Sequence, residues 1–150
     1  MRASTALHLP WLNAPQTPIE FREYLVRALR ESSEFFLACR TEDGAIVGFL
    51  NLNEIVRGSF QSAYLGYGAV ARFAGRGYMR EGLELVLAES FGPLGLHRVE
   101  ANIQPGNAAS IALARGAGFV LEGVSPNYLK IGGAWRDHER WAIREETWRR

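Results

Sequence analysis

The chain has 150 residues, 47% of them hydrophobic, with 17 basic and 16 acidic side chains and a net charge of +1. That describes one ordinary soluble globular domain, residues 1–150, long enough to bury a core without staples. The near-balance of charge excludes a nucleic-acid binder built on a basic surface, and the single cysteine, Cys39, excludes an intrachain disulfide or a multi-cysteine zinc site.

In chain order, Pro10, Pro15 and Pro18 mark residues 10–18 as a loop. Thr17-Pro18-Ile19-Glu20 then supplies an N-cap, a proline at the first helical position and a glutamate at the third. This capping box predicts a helix to about Arg30, with Phe21, Leu25, Ala28 and Leu29 on one face. Three β segments follow, at Glu34–Arg40, Ala45–Asn53 and Phe60–Val70, with Asp43-Gly44 as a hairpin turn. Cys39 lies in the apolar run FFLAC and is expected to be a buried, inert thiol. Gly66 and Gly68 mark a bulge or a close backbone approach in the third strand. From Tyr78, Met79, Leu83, Val86 and Leu87 recur at helical spacing until Gly92-Pro93 stops the helix. His97–Gln104 reads as a strand, Asn107–Ala114 as a short helix, and residues 118–124 and 134–143 as a closing hairpin across Gly132-Gly133. A meander followed by helix, strand, helix and hairpin predicts an α/β (α+β sandwich) fold. No run approaches the ~18 apolar residues of a membrane span and the start lacks a signal-peptide core, so a cytoplasmic setting is expected.

The segment that carries chemistry is Arg72-Phe73-Ala74-Gly75-Arg76-Gly77, between a strand and a strong helix. The first turn of a helix has unpaired N–H groups and about half a positive charge. Glycines let the loop before it fold so that N–H groups converge on one anion, and a diphosphate is the natural ligand. Arg72 and Arg76 add charge-assisted contacts. The segment lacks the Gly-Lys-Ser/Thr of a P-loop and the third glycine of a dinucleotide fingerprint. Alone, R-x-x-G-x-G is a common pattern.

Together with its flanks it resembles the acetyl-CoA signature of the GNAT superfamily, in its RimJ/RimL-type branch. The matching segments include Ile55-Val56-Arg57-Gly58, Tyr64-Leu65-Gly66-Tyr67, Gly75-Arg76-Gly77-Tyr78-Met79, Pro105-Gly106-Asn107-Ala108-Ala109-Ser110, Gly118-Phe119 and Trp135-Arg136-Asp137-His138, in the family's order and spacing. The resemblance implies a mixed sheet of about six strands splayed in a V, with the first edge strand missing here. It implies acetyl-CoA as co-substrate and direct attack of a neutral amine on the thioester, with no metal. The pantetheine arm would pair with backbone near Gly68, Ala69 and Val70, and the diphosphate would rest on the N–H groups of Phe73, Ala74, Gly75, Arg76, Gly77 and Tyr78. Asn107 would contact the pantetheine as well as cap its helix, and Ser110 would face the thioester to assist the departing thiolate.

The general base is where the resemblance stops. Some relatives carry a glutamate where this chain has Leu129, and a tyrosine used as the acid elsewhere is replaced by Ala114. Glu54 and Glu100 remain, with Glu54 favoured. His8, His97 and His138 are too dispersed to suggest a metal site, and His138 reads as structural. The leading expectation is an N-acetyltransferase acting on a protein N-terminal α-amine. The alternatives are a small-amine acetyltransferase and a CoA-binding module without catalysis. An uncovered sheet edge invites pairing into a homodimer.

Overall fold

The computed structural model describes residues 2–148. Its frame is a six-stranded sheet in the order β1-β2-β3-β4-β6-β5, formed by β1 (Glu34–Cys39), β2 (Ile46–Val56), β3 (Ser62–Ala69), β4 (Arg98–Ile103), β5 (Val120–Ile131) and β6 (Ala134–Arg144). Among the described residues five α-helices accompany it: α1 (Thr5–His8), α2 (Pro18–Ala28), α3 (Tyr78–Phe91), α4 (Ala108–Gly116) and α5 (Glu145–Trp148).

Alternation along the strands sorts the sheet into two faces. Leu50, Leu52, Leu65 and Val99 turn to one face and meet Leu83, Val86, Leu87 and Phe91 of α3 in a single core. Gly82 lets α3 lie close, since a Cβ there would sit 3.2 Å from Leu50 Cδ1 and 3.4 Å from Ala38 Cβ. The opposite face carries α2, held by Tyr24, whose ring lies 4.9 Å from that of Phe35 and whose hydroxyl donates to Asn51 Oδ1.

The capping box at Thr17 forms as expected, with Glu20 N–H donating to the Thr17 hydroxyl and Thr17 N–H to the Glu20 carboxylate. The apolar face read for α2 is not buried, however: Leu29 is 86% exposed, and no residue of the helix is buried. Tyr24 anchors this helix instead of an apolar stripe. Cys39 also departs from expectation. It is exposed, because β1 is the edge strand of the sheet and a register shift falls between Ala38 and Cys39. Gly132 and Gly133, with φ of 58° and 82°, make the two-residue turn between β5 and β6 that only left-handed residues allow.

The feature that positions the site is the junction of β3 and β4. These parallel strands pair only at Ser62–Arg98, Ala63–Val99 and Tyr64–Glu100. Beyond that point β3 stays with β2 as far as Ala69, while Ala101, Asn102 and Ile103 of β4 stay with β6. The sheet therefore opens in a V.

Candidate active site

The start of α3 is built to be open. Gly77 is its N-cap, left-handed at φ 89° and with no side chain to turn back on the helix, and Gly75 before it is left-handed at φ 73°. Among the described residues no carbonyl accepts from the N–H groups of Gly75, Arg76, Gly77, Tyr78 and Met79. Gly48 of β2 fixes the place of this helix end, because a Cβ there would collide with the Met79 sulfur. The result is a cradle of convergent N–H groups on a positive dipole end.

The cradle opens into a cavity of about 350 Å³ that runs into the V and is walled by Tyr67, Gly68 and Ala69 of β3 and by Asn107, Ser110 and Leu113 around α4. Arg76 and Arg80 stand at its cradle end, Arg80 also pairing with Glu84 at 3.3 Å. This arrangement fits a long ligand with an anionic middle: donors and two cations at one end, a slot between parted strands at the other.

The ladder decides which backbone groups reach that slot. Val70 N–H donates to Val47 O across β2, so in an antiparallel ladder the polar groups of Gly68 and Val70 face β2 and those of Tyr67 and Ala69 face the gap. Of the expected Gly68, Ala69 and Val70, only Ala69 turns its backbone polar groups to the gap; Gly68 also lines the cavity, and Val70 does not. The run of open N–H groups is also shorter than the sequence suggested. The N–H groups of Phe73 and Ala74 are taken up by Val70 O and Ala71 O in a 3-10 turn, so the open donors begin at Gly75. Arg72 turns aside and stacks on Phe73, 4.5 Å from the ring centre, instead of facing the cavity.

Asn107 caps α4 by accepting from Ser110 N–H at 3.2 Å and also lines the cavity, so the two roles read for it coexist geometrically. Ser110 Oγ lies 2.5 Å from the Tyr67 hydroxyl. Burial pushes the Tyr67 phenol above its ordinary value, against the opposing hydrogen bond from Ser110, so it stays protonated at neutral pH. Tyr67 lines the candidate site, although along the sequence it stands out only as part of the Tyr64-Leu65-Gly66-Tyr67 motif. The signal was present in strand parity: a tyrosine at an inward position of β3 needs a polar partner for its hydroxyl.

Neither carboxylate candidate reaches the cavity. Glu54 is exposed, on a register shift of β2 with φ 49°, and Glu100 is bound by Arg98, whose Nε lies 2.8 Å from its carboxylate. The same guanidinium holds Glu122 below its ordinary range through a hydrogen-bonded pair. His138 is buried with Nδ1 at 2.9 Å from Arg136 O, a structural contact. His8 is the second residue missed: buried in α1, it lines the cavity, with Nε2 2.8 Å from Ala69 O.

Residues 1–120 match the acetyltransferase (GNAT) domain. The chain is 36% identical to the probable N-acetyltransferase YjcK of Bacillus subtilis over 81% of its own length and 67% of that protein's. It is 35% identical to the [ribosomal protein uS5]-alanine N-acetyltransferase of Escherichia coli over 78% of its length and 60% of that protein's, so it spans about two thirds of these relatives. Among solved structures, Mycobacterium smegmatis RimJ in complex with CoA-disulfide superposes with a TM-score of 0.82 at 30% identity, covering 97% of this chain and 74% of that one. With the open helix start, the parted strands and these matches together, the chain belongs to the GNAT acetyltransferase family.

Proposed function

We propose that this protein transfers the acetyl group of acetyl-CoA directly to a primary amine, and that the amine is the α-amino group of a protein N-terminus. The observation that carries the reading is the continuity of one cavity from the uncapped start of α3 to the gap between β3 and β4. The relationship to an alanine N-acetyltransferase supports the acceptor class.

When bound, acetyl-CoA supplies an activated acyl group as its thioester. Residues Gly75 to Tyr78 hold the diphosphate through backbone N–H groups, with Arg76 and Arg80 adding charge, and Asn107 steadies the pantetheine. Backbone capture leaves the side chains of the cradle free to vary. The gap-facing N–H groups of Tyr67 and Ala69 pair with the arm and polarise the acyl oxygen. On the α4 side, the Ser110 and Tyr67 hydroxyls form a hydrogen-bonded pair in which either can donate, and that pair supplies the proton for the departing sulfur. An α-amine, with an ordinary pKa of about 7.7–8.0, is partly neutral at physiological pH, so positioning and one modest base suffice.

A thiol-release assay with acetyl-CoA and a panel of N-terminal peptides, polyamines and amino acids tests the reading, alongside a CoA titration. Turnover is expected to be highest with the peptides. Preference for small amines reassigns the acceptor, CoA binding without any thiol release makes the protein a binding module, and absence of CoA binding rejects the whole reading.

A further inference from the structure

We propose that His8 is the proton acceptor of the acetyl transfer, taking up through Nδ1 the proton shed by the attacking amine. The inference rests on the acetyltransferase reading above and names the base that reading leaves open. His8 is 4% exposed, and its Nε2 lies 2.8 Å from Ala69 O. A carbonyl oxygen only accepts, so Nε2 carries the hydrogen, and in a neutral imidazole the other nitrogen is then a bare lone pair. That nitrogen, Nδ1, is buried and has no hydrogen-bond partner among the described residues. A buried acceptor without a partner calls for an explanation, a catalytic role being one, and His8 is a residue that lines the cavity.

Its position matches the task. Besides the cofactor cavity, a groove runs between the N-terminal segment and α2, lined by Asn13, Glu20, Glu23 and Arg27, and His8 and Leu12 line both. Groove and cofactor cavity therefore adjoin at His8. His8 stands over Gly68, where a Cβ would lie 3.3 Å from its Nε2. The next residue back along the strand, Tyr67, points to the other face and meets Ser110. Proton acceptor and proton donor therefore flank β3 from opposite faces, one residue apart. Glu54 and Glu100 line neither cavity.

The amine lone pair forms the C–N bond as the C–S bond breaks with its electrons left on sulfur. One N–H proton goes to His8 Nδ1, and a proton from the Ser110–Tyr67 hydroxyl pair goes to sulfur. Water restores the hydroxyl pair and relieves the imidazolium, whose remaining N–H still donates to Ala69 O. The other titratable groups around His8 are Glu20, Glu23 and Arg27 across the groove and Tyr67, Tyr78, Arg76 and Arg80 around the cavity.

The test is His8→Gln, whose amide can still donate to Ala69 O but cannot accept a proton in turnover. The wild type is measured first: if it binds CoA and turns over an amine, the underlying reading stands and the inference is judged alone. Expected are a kcat loss of about 10²–10³-fold, within the range of a positioned general base, CoA affinity within about threefold, and loss of whatever acid limb the kcat/KM profile of the wild type has. A retained rate and profile overturns the proposal. So does a parallel loss of CoA affinity, which would make His8 a brace for β3. Should the variant not fold, ¹⁵N imidazole spectra of the wild type, which has three histidines, decide: His8 as the Nε2–H tautomer with a titrating bare Nδ1 supports the role, and the Nδ1–H tautomer refutes it.

Discussion

Helices α2 and α3 begin in opposite ways. Thr17 and Glu20 close the start of α2, each side chain accepting from the other's backbone N–H, so those donors are met within the chain itself. Gly77 opens the start of α3, with no side-chain cap, and the N–H groups that a serine or threonine would satisfy face a cavity instead. Every helix start has the same unsatisfied donors. Where the chain meets them itself, the gain is stability, and where it leaves them open, the gain is an anion site. The start of α4 combines the two, since Asn107 both caps the helix and lines the cavity.

Filling the open end breaks the contrast most directly. Gly75→Val forces a β-branched residue to φ 73°, although the space around its Cβ is empty. CoA affinity should fall at least about 100-fold by titration, the loss of two or so charge-assisted hydrogen bonds, while circular dichroism shows a folded domain; unchanged affinity would refute the cradle. Ser110→Ala, at the far end of the same cavity, should lower kcat by about 10–100-fold with KM for acetyl-CoA little changed. Equal loss in binding and rate would make Ser110 a pantetheine contact only.

Tyr67→Phe should lower kcat less, by roughly three- to tenfold, because Ser110 keeps its own proton. It should also change stability at high pH. The folded-state pKa of Tyr67 is raised, so its contribution is complete below the unfolded value near 10 and lost as pH rises through the folded value. Thermal melts between pH 8 and 11 should show a shallower alkaline decline for the variant, and an identical decline would place the titration elsewhere. At the closed end, Thr17→Ala should cost about 1 kcal/mol of stability in denaturant melts and leave CoA affinity within twofold. A large binding defect from Thr17→Ala would erase the distinction between the two helix starts.

Much of this was legible along the chain. The box at Thr17, the start of α3 at Tyr78, its stop at Gly92 and the glycines at 75 and 77 all lie in local patterns whose partners are a few residues away. The burial of α2 was misread because an amphipathic pattern says which residues share a face and not whether anything covers it. Cys39 was misread for the same reason, as an apolar run does not reveal that its strand ends the sheet.

The sequence by itself therefore determined the fold class, the order of the main elements, the glycine-opened start of α3 and the family, since those depend on neighbours in the chain and on motif order; it read β5 (Val120–Ile131) only as residues 118–124. Only the tertiary structure decided that Tyr67 and Ala69, not Gly68 and Val70, present their backbone to the gap, because that follows from the β2–β3 register. It alone brought His8 to Ala69 and Tyr67 to Ser110, contacts between residues 61 and 43 positions apart. Proton donors and acceptors must meet in space, and no spacing rule along the chain encodes that meeting.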